Sequence, residues 1–248
     1  MNVKENLSMS LSNVCGVNRL CHRNDIFHVF VRNTGTKAIK GIRLCLPELE
    51  EANSSWNCES LSKMFKLTFL ELNNLIIYSG PKFLPDSLRN LIWSWYPSRF
   101  LPGSYRPNLL IELKMKNSKL VRLWDGKQDL PYLKSIDLRD SKNLTKTPDL
   151  TGIPNLERCE RLQQLPDLPS NRVLEVRVDN CGSLKQLSEP SKLNKPINLE
   201  DFRLSSVNCF GLADDEGWNN TIFSMLRRMA TQRISLKFDE FRIANSWR

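Results

Sequence analysis

One short apolar motif recurs along the middle of this chain at a nearly constant interval. The motif reads apolar-x-x-apolar-x-apolar, and its first apolar residue falls at Leu67, Leu88, Leu110, Leu133 and Leu156. Successive copies therefore begin 21, 22, 23 and 23 residues apart. An interval this regular indicates a chain built from stacked copies of one small structural unit.

The motif also predicts how each unit folds. Alternate residues of a strand point to opposite faces, so the last two apolar residues of the motif point inward and the residue between them points outward. One unit cannot bury its apolar residues alone, whereas stacked units bury them against each other and pair their strands in parallel. The predicted fold class is α/β, a leucine-rich-repeat solenoid with a curved parallel sheet and short convex helices or turns.

Two later copies of the motif are out of step with the first five. Their apolar positions are Val173, Val176 and Val178, followed by Leu199, Phe202 and Leu204. The intervals that precede these copies are 17 and 26 residues. We therefore expect a deletion near Glu157–Cys159, and the alternative is an irregular repeat with a short strand in the region 157–172.

Patterning divides the chain into four expected parts. Residues 1–24 are polar and unpatterned and are predicted to be disordered. Residues 25–66 are predicted to form a helix, a strand and a second helix that cap the repeats, which occupy 67–209. Residues 210–248 carry an amphipathic pattern from Trp218 to Gln232 and a strand pattern from Ile234, which predict a truncated α+β piece.

The outward residues of the predicted strands form the candidate binding surface, on the concave face of the sheet. They are Glu71, Asn73, Ile92, Ser94, Lys114, Lys116, Asp137, Arg139, Arg177, Asp179, Arg203 and Ser205. A long concave face suits a large partner, so the expected partner is a protein, although most of these side chains individually would serve as a solvated sheet face. Another set follows the strands, where small polar groups bond the turning backbone: Tyr96, Ser118, Ser141 and Cys181.

The formal net charge is +9, which raises the question of a nucleic-acid partner. The basic residues are dispersed, and the chain contains no arginine-rich run or nucleic-acid recognition motif. A solvated basic face is therefore favoured, and a basic nucleic-acid-binding solenoid is an alternative. An acidic protein or an anionic membrane surface would also fit the charge.

Cysteine usage and missing motifs narrow the class further. The seven cysteines are odd in number, scattered and without a CxxC pair, which favours reduced thiols in the cytoplasm, with the nucleus as a second compartment. No apolar run reaches the roughly 18–20 residues of a transmembrane segment. Phosphate-loop, GxGxxG, HExxH and GxSxG motifs are absent, so we expect no enzyme, no cofactor, no metal site and no small-molecule substrate.

Five strings resemble the leucine-rich-repeat region of plant intracellular immune receptors, the disease-resistance proteins that join a TIR domain, a nucleotide-binding NB-ARC domain and repeats. The strings are RLCHRNDIFHVFVRNTGTKAIKGIRL at 19–44, LPDSLRNLIWSWYPSRFLP at 84–102, LKSIDLRDSKNLTKTPDLTGIPNLE at 133–157, CERLQQLPDLP at 159–169 and VDNCGSL at 178–184. The resemblance covers about residues 18–248.

This resemblance implies a recognition module in plant defence that binds a pathogen effector or restrains a nucleotide-binding domain. It implies no catalytic or nucleotide-binding domain, because the chain contains neither a TIR nor an NB-ARC sequence. It also implies that SVNCFGL, at 206–212, begins a truncated post-repeat domain. The alternative is a non-functional truncated receptor remnant, since a missing strand would leave apolar residues unburied.

Overall fold

A computed structural model describes residues 18–124, 130–147, 153–163, 165, 173–185, 201–212 and 233–237. The described strands form one ten-stranded sheet, ordered as in the sequence, in which every neighbouring pair is parallel. The strands are β1 (Arg19–Leu20), β2 (Gly41–Glu51), β3 (Phe69–Ile76), β4 (Asn90–Trp93), β5 (Glu112–Lys114), β6 (Ser135–Asp137), β7 (Ile153–Asn155), β8 (Val173–Arg177), β9 (Asp201–Ser205) and β10 (Arg233–Lys237). This architecture confirms the predicted α/β repeat solenoid.

The apolar positions of the motif form the core beneath the sheet. All three positions are buried in each of the four copies that begin at Leu67, Leu88, Leu110 and Leu133. The middle positions, Leu70, Leu91, Leu113 and Ile136, lie side by side in register. Full burial of such a side chain contributes about 1.5–3 kcal/mol, so the stacked leucines supply most of the driving force for folding.

A helix and a strand precede the first predicted repeat. Helix α1 (Arg23–Val31) buries Ile26 and Phe30, and the Phe30 ring stacks on Trp56 with 4.4 Å between centroids. The second predicted helix is a 3-10 helix, Cys58–Lys63, whose N-cap residue Asn57 accepts a hydrogen bond from the Glu59 amide at 2.8 Å. Strand β2 pairs with β3, so the repeat sheet extends before Leu67.

The prediction of disorder for residues 1–24 is wrong at its C-terminal end. Strand β1 pairs with Gly41 and Ile42 of β2, and α1 begins at Arg23. Backbone pairing to a longer strand holds this short polar segment, although the segment has no apolar pattern of its own. Residues 1–17 lie outside the described residues.

The sheet is continuous through the region where a deletion was expected. Strand β7 pairs with β6 through Ile136 and Pro154, and Asn155 pairs with Arg177 of β8. Leu156 follows Asn155 and is fully buried, so it occupies the third apolar position of its repeat and not the first. The prediction of a deletion near Glu157–Cys159 is therefore wrong. The irregularity is a short repeat, whose third apolar position, Leu156, comes 18 residues after Leu138, the third apolar position of the preceding repeat.

The last two strands also differ from their predicted placement. Leu204 pairs with Val176, so it holds the second apolar position, and the buried Ser206 follows at the third. Strand β10 pairs with β9 from Arg233 to Lys237, which places it in the repeat sheet and not in a separate C-terminal domain. The predicted helix from Trp218 to Gln232 lies outside the described residues.

Two further findings concern the cysteines and the membrane question. Cys21 is disulfide-bonded, which corrects the expectation of reduced thiols at that position. An odd and scattered set of cysteines does not exclude a single pair. Among the described residues, Cys45, Cys58, Cys159, Cys181 and Cys209 form no disulfide bond. Within the described ranges, no helix has the length and apolar character needed to cross a membrane.

Candidate functional site

Two rows of side chains run across the outer face of the sheet, and together we call them the concave face. The central row takes one residue from each of the eight strands β2 to β9, in register: Arg43, Glu71, Ile92, Lys114, Asp137, Asn155, Arg177 and Ser205. The second row lies two residues further along each strand: Cys45, Asn73, Ser94, Lys116, Arg139, Glu157, Asp179 and Val207. Ten of the twelve predicted surface residues lie in these rows at their predicted positions.

The remaining two predicted residues are displaced by the register of β9. Ser205 lies in the central row, where Arg203 was expected, and Arg203 pairs with Glu175 two residues earlier. Sequence reasoning also missed Asn155 and Glu157, because it treated Leu156 as the start of a new motif. The spacing of three residues from Leu156 to Cys159 carries the correct signal, since it matches that from Leu138 to Ser141.

Ion pairs connect neighbouring strands across the concave face. Arg43 Nε lies 3.0 Å from Glu71 Oε2, and Lys116 Nζ lies 3.2 Å from Asp137 Oδ2. Arg139 binds the same carboxylate, with its Nε 3.0 Å from Asp137 Oδ1 and its Nη2 3.0 Å from Oδ2. These contacts fix the side chains of adjacent repeats relative to each other.

Further ion pairs, one within strand β5 and one between neighbouring repeats, lie on both sides of the centre of the face. Lys114 Nζ lies 2.7 Å from Glu112 Oε1, and Arg177 Nη2 lies 2.9 Å from Glu157 Oε1. At the C-terminal end, Asp179 accepts hydrogen bonds from the Ser205 hydroxyl at 2.7 Å and from the Val207 amide at 2.8 Å. The described face thus carries a preformed network of ion pairs and hydrogen bonds.

Two carboxylates of this network, Asp137 and Glu112, have lowered pKa values. Burial of Asp137 raises its pKa, but the Arg139 hydrogen bonds and the charge of Lys116 outweigh burial, so the net pKa is lowered. Burial likewise raises the pKa of Glu112, and hydrogen bonds from Lys114 and Asn90 reverse the shift to give a lowered pKa. Charge reversal at Arg139 would therefore leave a buried carboxylate without its main partner.

A groove of about 520 Å³ lies on the N-terminal part of the concave face. Ile92 supplies an apolar wall, and Asn73 and Ser94 supply polar groups, with the Ser94 hydroxyl donating to Asn73 Oδ1 at 2.7 Å. The other lining residues are Cys45, Leu46, Glu71, Asn74, Lys114, Lys116 and Asn117. Polar groups around one apolar wall can hold an extended peptide or a loop.

A buried ladder beneath the turns holds the repeats in place. Ser141 Oγ donates to the Met115 carbonyl at 3.1 Å and lies 2.8 Å from Ser118 Oγ. Thiols take over the same role in later repeats: Cys159 Sγ bonds the Leu138 carbonyl at 3.2 Å, and Cys181 Sγ bonds that of Leu156 at 3.0 Å. The predicted role of Ser141 and Cys181 is therefore observed, and Cys159 and Cys209 extend the ladder.

A left-handed residue precedes each step of this ladder. Asn117, Asp140 and Asn180 have φ values of 56°, 61° and 59°, a conformation that Asn and Asp tolerate better than other non-glycine residues. Trp95, with φ 64°, and Arg158, with φ 57°, hold the same place in their repeats. The recurrence of this turn aligns the second row across the described strands.

Comparisons with known proteins agree with this architecture. The family model described as Leucine Rich Repeat matches residues 110–128. Disease resistance protein RPS6 of Arabidopsis thaliana is 37% identical over 157 residues, which cover 57% of this chain and 14% of that protein. Disease resistance protein RPP5 of the same species is 33% identical over 207 residues, covering 80% of this chain and 14% of RPP5.

A relative from a second species supports the same grouping. TMV resistance protein N of Nicotiana glutinosa is 28% identical over 175 residues, covering 68% of this chain and 15% of that protein. The chain thus matches less than a fifth of the length of these relatives. No solved structure matches the chain significantly. The parallel repeat sheet and the family model show a leucine-rich-repeat solenoid, and these identities show that the chain is similar to part of the plant TIR-NB-LRR disease resistance proteins.

Proposed function

We propose that this chain recognises a protein partner in plant defence through its concave face. The supporting observation is the register of the central and second rows, which presents polar and half-exposed side chains across eight consecutive strands. A rigid face loses little conformational entropy when a partner binds. The relatives are named as disease resistance proteins, and repeats of this kind serve them as protein-interaction modules.

Two partners fit the proposal, a pathogen effector and the nucleotide-binding domain of a related receptor. In either case, the chain contributes recognition and no catalytic step, cofactor or small-molecule substrate. The proposal places it in the cytoplasm, with the nucleus as the alternative compartment. It assigns recognition to residues 67–209, with 25–66 as an N-terminal cap, and extends the functional sheet to β2 and β10.

The two alternative functions have less support. A non-functional remnant was suggested by the irregular repeat, but the sheet pairs through that repeat without a missing strand. A nucleic-acid binder was suggested by the charge of +9. Among the described residues of the two rows, however, five cations stand against four anions, and each of these cations has a carboxylate partner.

The proposal is tested by titrating the purified chain with the purified nucleotide-binding domain of RPS6 and, separately, with candidate effectors, followed by calorimetry. The test variant is Ile92→Asp, which places a charge on the apolar wall of the groove. The matched control is Val121→Asp, a half-exposed apolar position off the concave face. Ile92→Asp should weaken a bound partner at least about tenfold and Val121→Asp should not, as expected for a contact near the centre of an interface. The proposal would be contradicted if both variants weakened binding equally, or if the chain bound none of these proteins.

A further inference from the structure

The ion pairs on the concave face share an asymmetry that the formal charge does not reveal. At the face and its margins, six ion pairs of the described residues join Arg43 to Glu71, Lys114 to Glu112, Lys116 and Arg139 to Asp137, Arg158 to Asp140, and Arg177 to Glu157. The side chains of the cations are 29–55% exposed, whereas those of the carboxylates are only 11–24% exposed. The two ranges do not overlap.

The low exposure of the carboxylates distinguishes this face. In the described ion pairs elsewhere the cation is also the more exposed partner, but the carboxylates are more exposed than on this face: 32% for Glu50, paired with Arg23, and 57% for Glu59 and for Glu160. The physical reason is side-chain length on a flat sheet. Lys and Arg are long enough to carry their charged groups above the backbone, while the shorter Asp and Glu remain beneath them.

We infer that the concave face is built to dock an acidic protein surface, with carboxylates of the partner meeting the outer layer of ammonium and guanidinium groups. This inference rests on the proposed function and names the chemistry of its partner. A partner carboxylate would reach Lys114 and Lys116 at the groove while the sheet's own carboxylates stay covered beneath. Apolar contact with Ile92, which lies between Glu71 and Lys114 in the central row, would accompany the charge pairing.

An acidic protein fits these observations better than a nucleic acid. The cations are already held by carboxylates beneath them, so the near-balanced face lacks the unpaired positive charge that a polyphosphate backbone exploits. The network of ion pairs sets the orientation of the cationic side chains, because Asp137 holds Arg139 in a two-point contact while Lys116 reaches the same carboxylate. Fixed donors of this kind favour discrete carboxylates over diffuse attraction.

The test uses short fluorescein-labelled peptides and fluorescence anisotropy at low salt. One peptide alternates glutamate with alanine, a second alternates lysine with alanine, and a single-stranded oligonucleotide carries the same number of charges as the first. The test variant is Lys114→Gln with Lys116→Gln. It spares the fold, because Glu112 keeps its hydrogen bond from Asn90 and Asp137 keeps Arg139. The matched control is Lys119→Gln with Lys146→Gln, two exposed lysines off the concave face.

The expected result is binding of the glutamate peptide at least about tenfold tighter than the lysine peptide, with a loss in the test variant and little change in the control. The inference would be overturned if the two peptides bound with equal affinity or if the oligonucleotide bound more tightly than the glutamate peptide. It would also be overturned if both variants lost affinity equally or if no probe bound. If Ile92→Asp weakens binding of the RPS6 domain or of an effector while Lys114→Gln with Lys116→Gln leaves that binding unchanged, the chain recognises a protein but the acidic character of the partner is refuted.

Discussion

The substitution Leu156→Ala tests whether the short repeat is part of the core. Leu156 is fully buried at the third apolar position of its repeat, beneath the junction of β7 and β8. The change removes three carbon atoms, worth about 0.8 kcal/mol each in transfer free energy, or about 2.4 kcal/mol. The cavity left behind adds to this loss, so the free energy of unfolding should fall by about 3–4 kcal/mol.

Urea unfolding followed by tryptophan fluorescence measures this loss through the midpoint and the slope of the transition. The matched control is Leu109→Ala, since Leu109 is 42% exposed and its truncation should cost under about 1 kcal/mol. A domain stability of about 5–15 kcal/mol leaves room to measure both variants. If Leu156→Ala costs no more than Leu109→Ala, Leu156 does not lie in a continuous core and the register of β7 is wrong.

Three other perturbations test the turns and the ion pairs. Trp95→Asn should raise the free energy of unfolding by up to about 1 kcal/mol, because Asn tolerates the left-handed backbone at φ 64°. Asn117→Ala, at the equivalent turn, should lower the free energy of unfolding. Urea midpoints that move in the opposite directions would refute the backbone strain at Trp95. Ser141→Ala leaves the buried Met115 carbonyl and Ser118 without a partner and should cost about 1–3 kcal/mol, whereas an unchanged midpoint would show that the ladder is dispensable. The stability that the ion pairs of Asp137 and Glu112 contribute should be fully present above the ordinary pKa values of 3.8 and 4.5 and should be lost as the pH falls through the lowered pKa values in the folded chain. Asp137→Asn should flatten this acid part of a curve of unfolding free energy against pH. An unaltered curve would contradict the assignment.

The sequence predicted the core of the regular repeats well, because burial there requires large apolar residues at fixed positions. Leu91, Leu113 and Ile136 align as their spacing indicates. The same rule failed at β7, where Pro154 stands in the second position and only Leu156 has the expected character. A strand can pair through its backbone without a leucine at every position, and a search for leucines therefore assigned Leu156 to the wrong place.

The placement of β9 shows a second limit of sequence patterning. A shift of two residues leaves the same side chains facing inward, so alternation alone cannot choose between two registers. Leu204 was expected at the third apolar position but holds the second, and the small residue Ser206 fills the third. The correct register was signalled by Cys209, three residues after Ser206, as in the repeats before it.

Most residues of the candidate face were predicted from the sequence, but the arrangement of their charges was not. Sequence alternation identified Lys114, Lys116, Asp137 and Arg139 as outward-facing. Which charged group lies above and which lies beneath depends in part on pairs between neighbouring repeats, such as Lys116 and Asp137, which are 21 positions apart. These pairings require the register of neighbouring strands, which only the structure supplies.

Amide hydrogen exchange followed by mass spectrometry tests most directly whether one continuous sheet carries the concave face. The decisive amides cross the short repeat: Leu138 donates to the Asn155 carbonyl at 2.9 Å, Asp140 to that of Glu157 at 2.9 Å and Leu156 to that of Arg177 at 2.8 Å. The structure predicts that these amides exchange as slowly as Ile111, Met115 and Asn117 in the regular repeats, because all are bonded between neighbouring strands or turns. Fast exchange confined to Leu138, Asp140 and Leu156 would show that the sheet is interrupted there and would contradict a single recognition face.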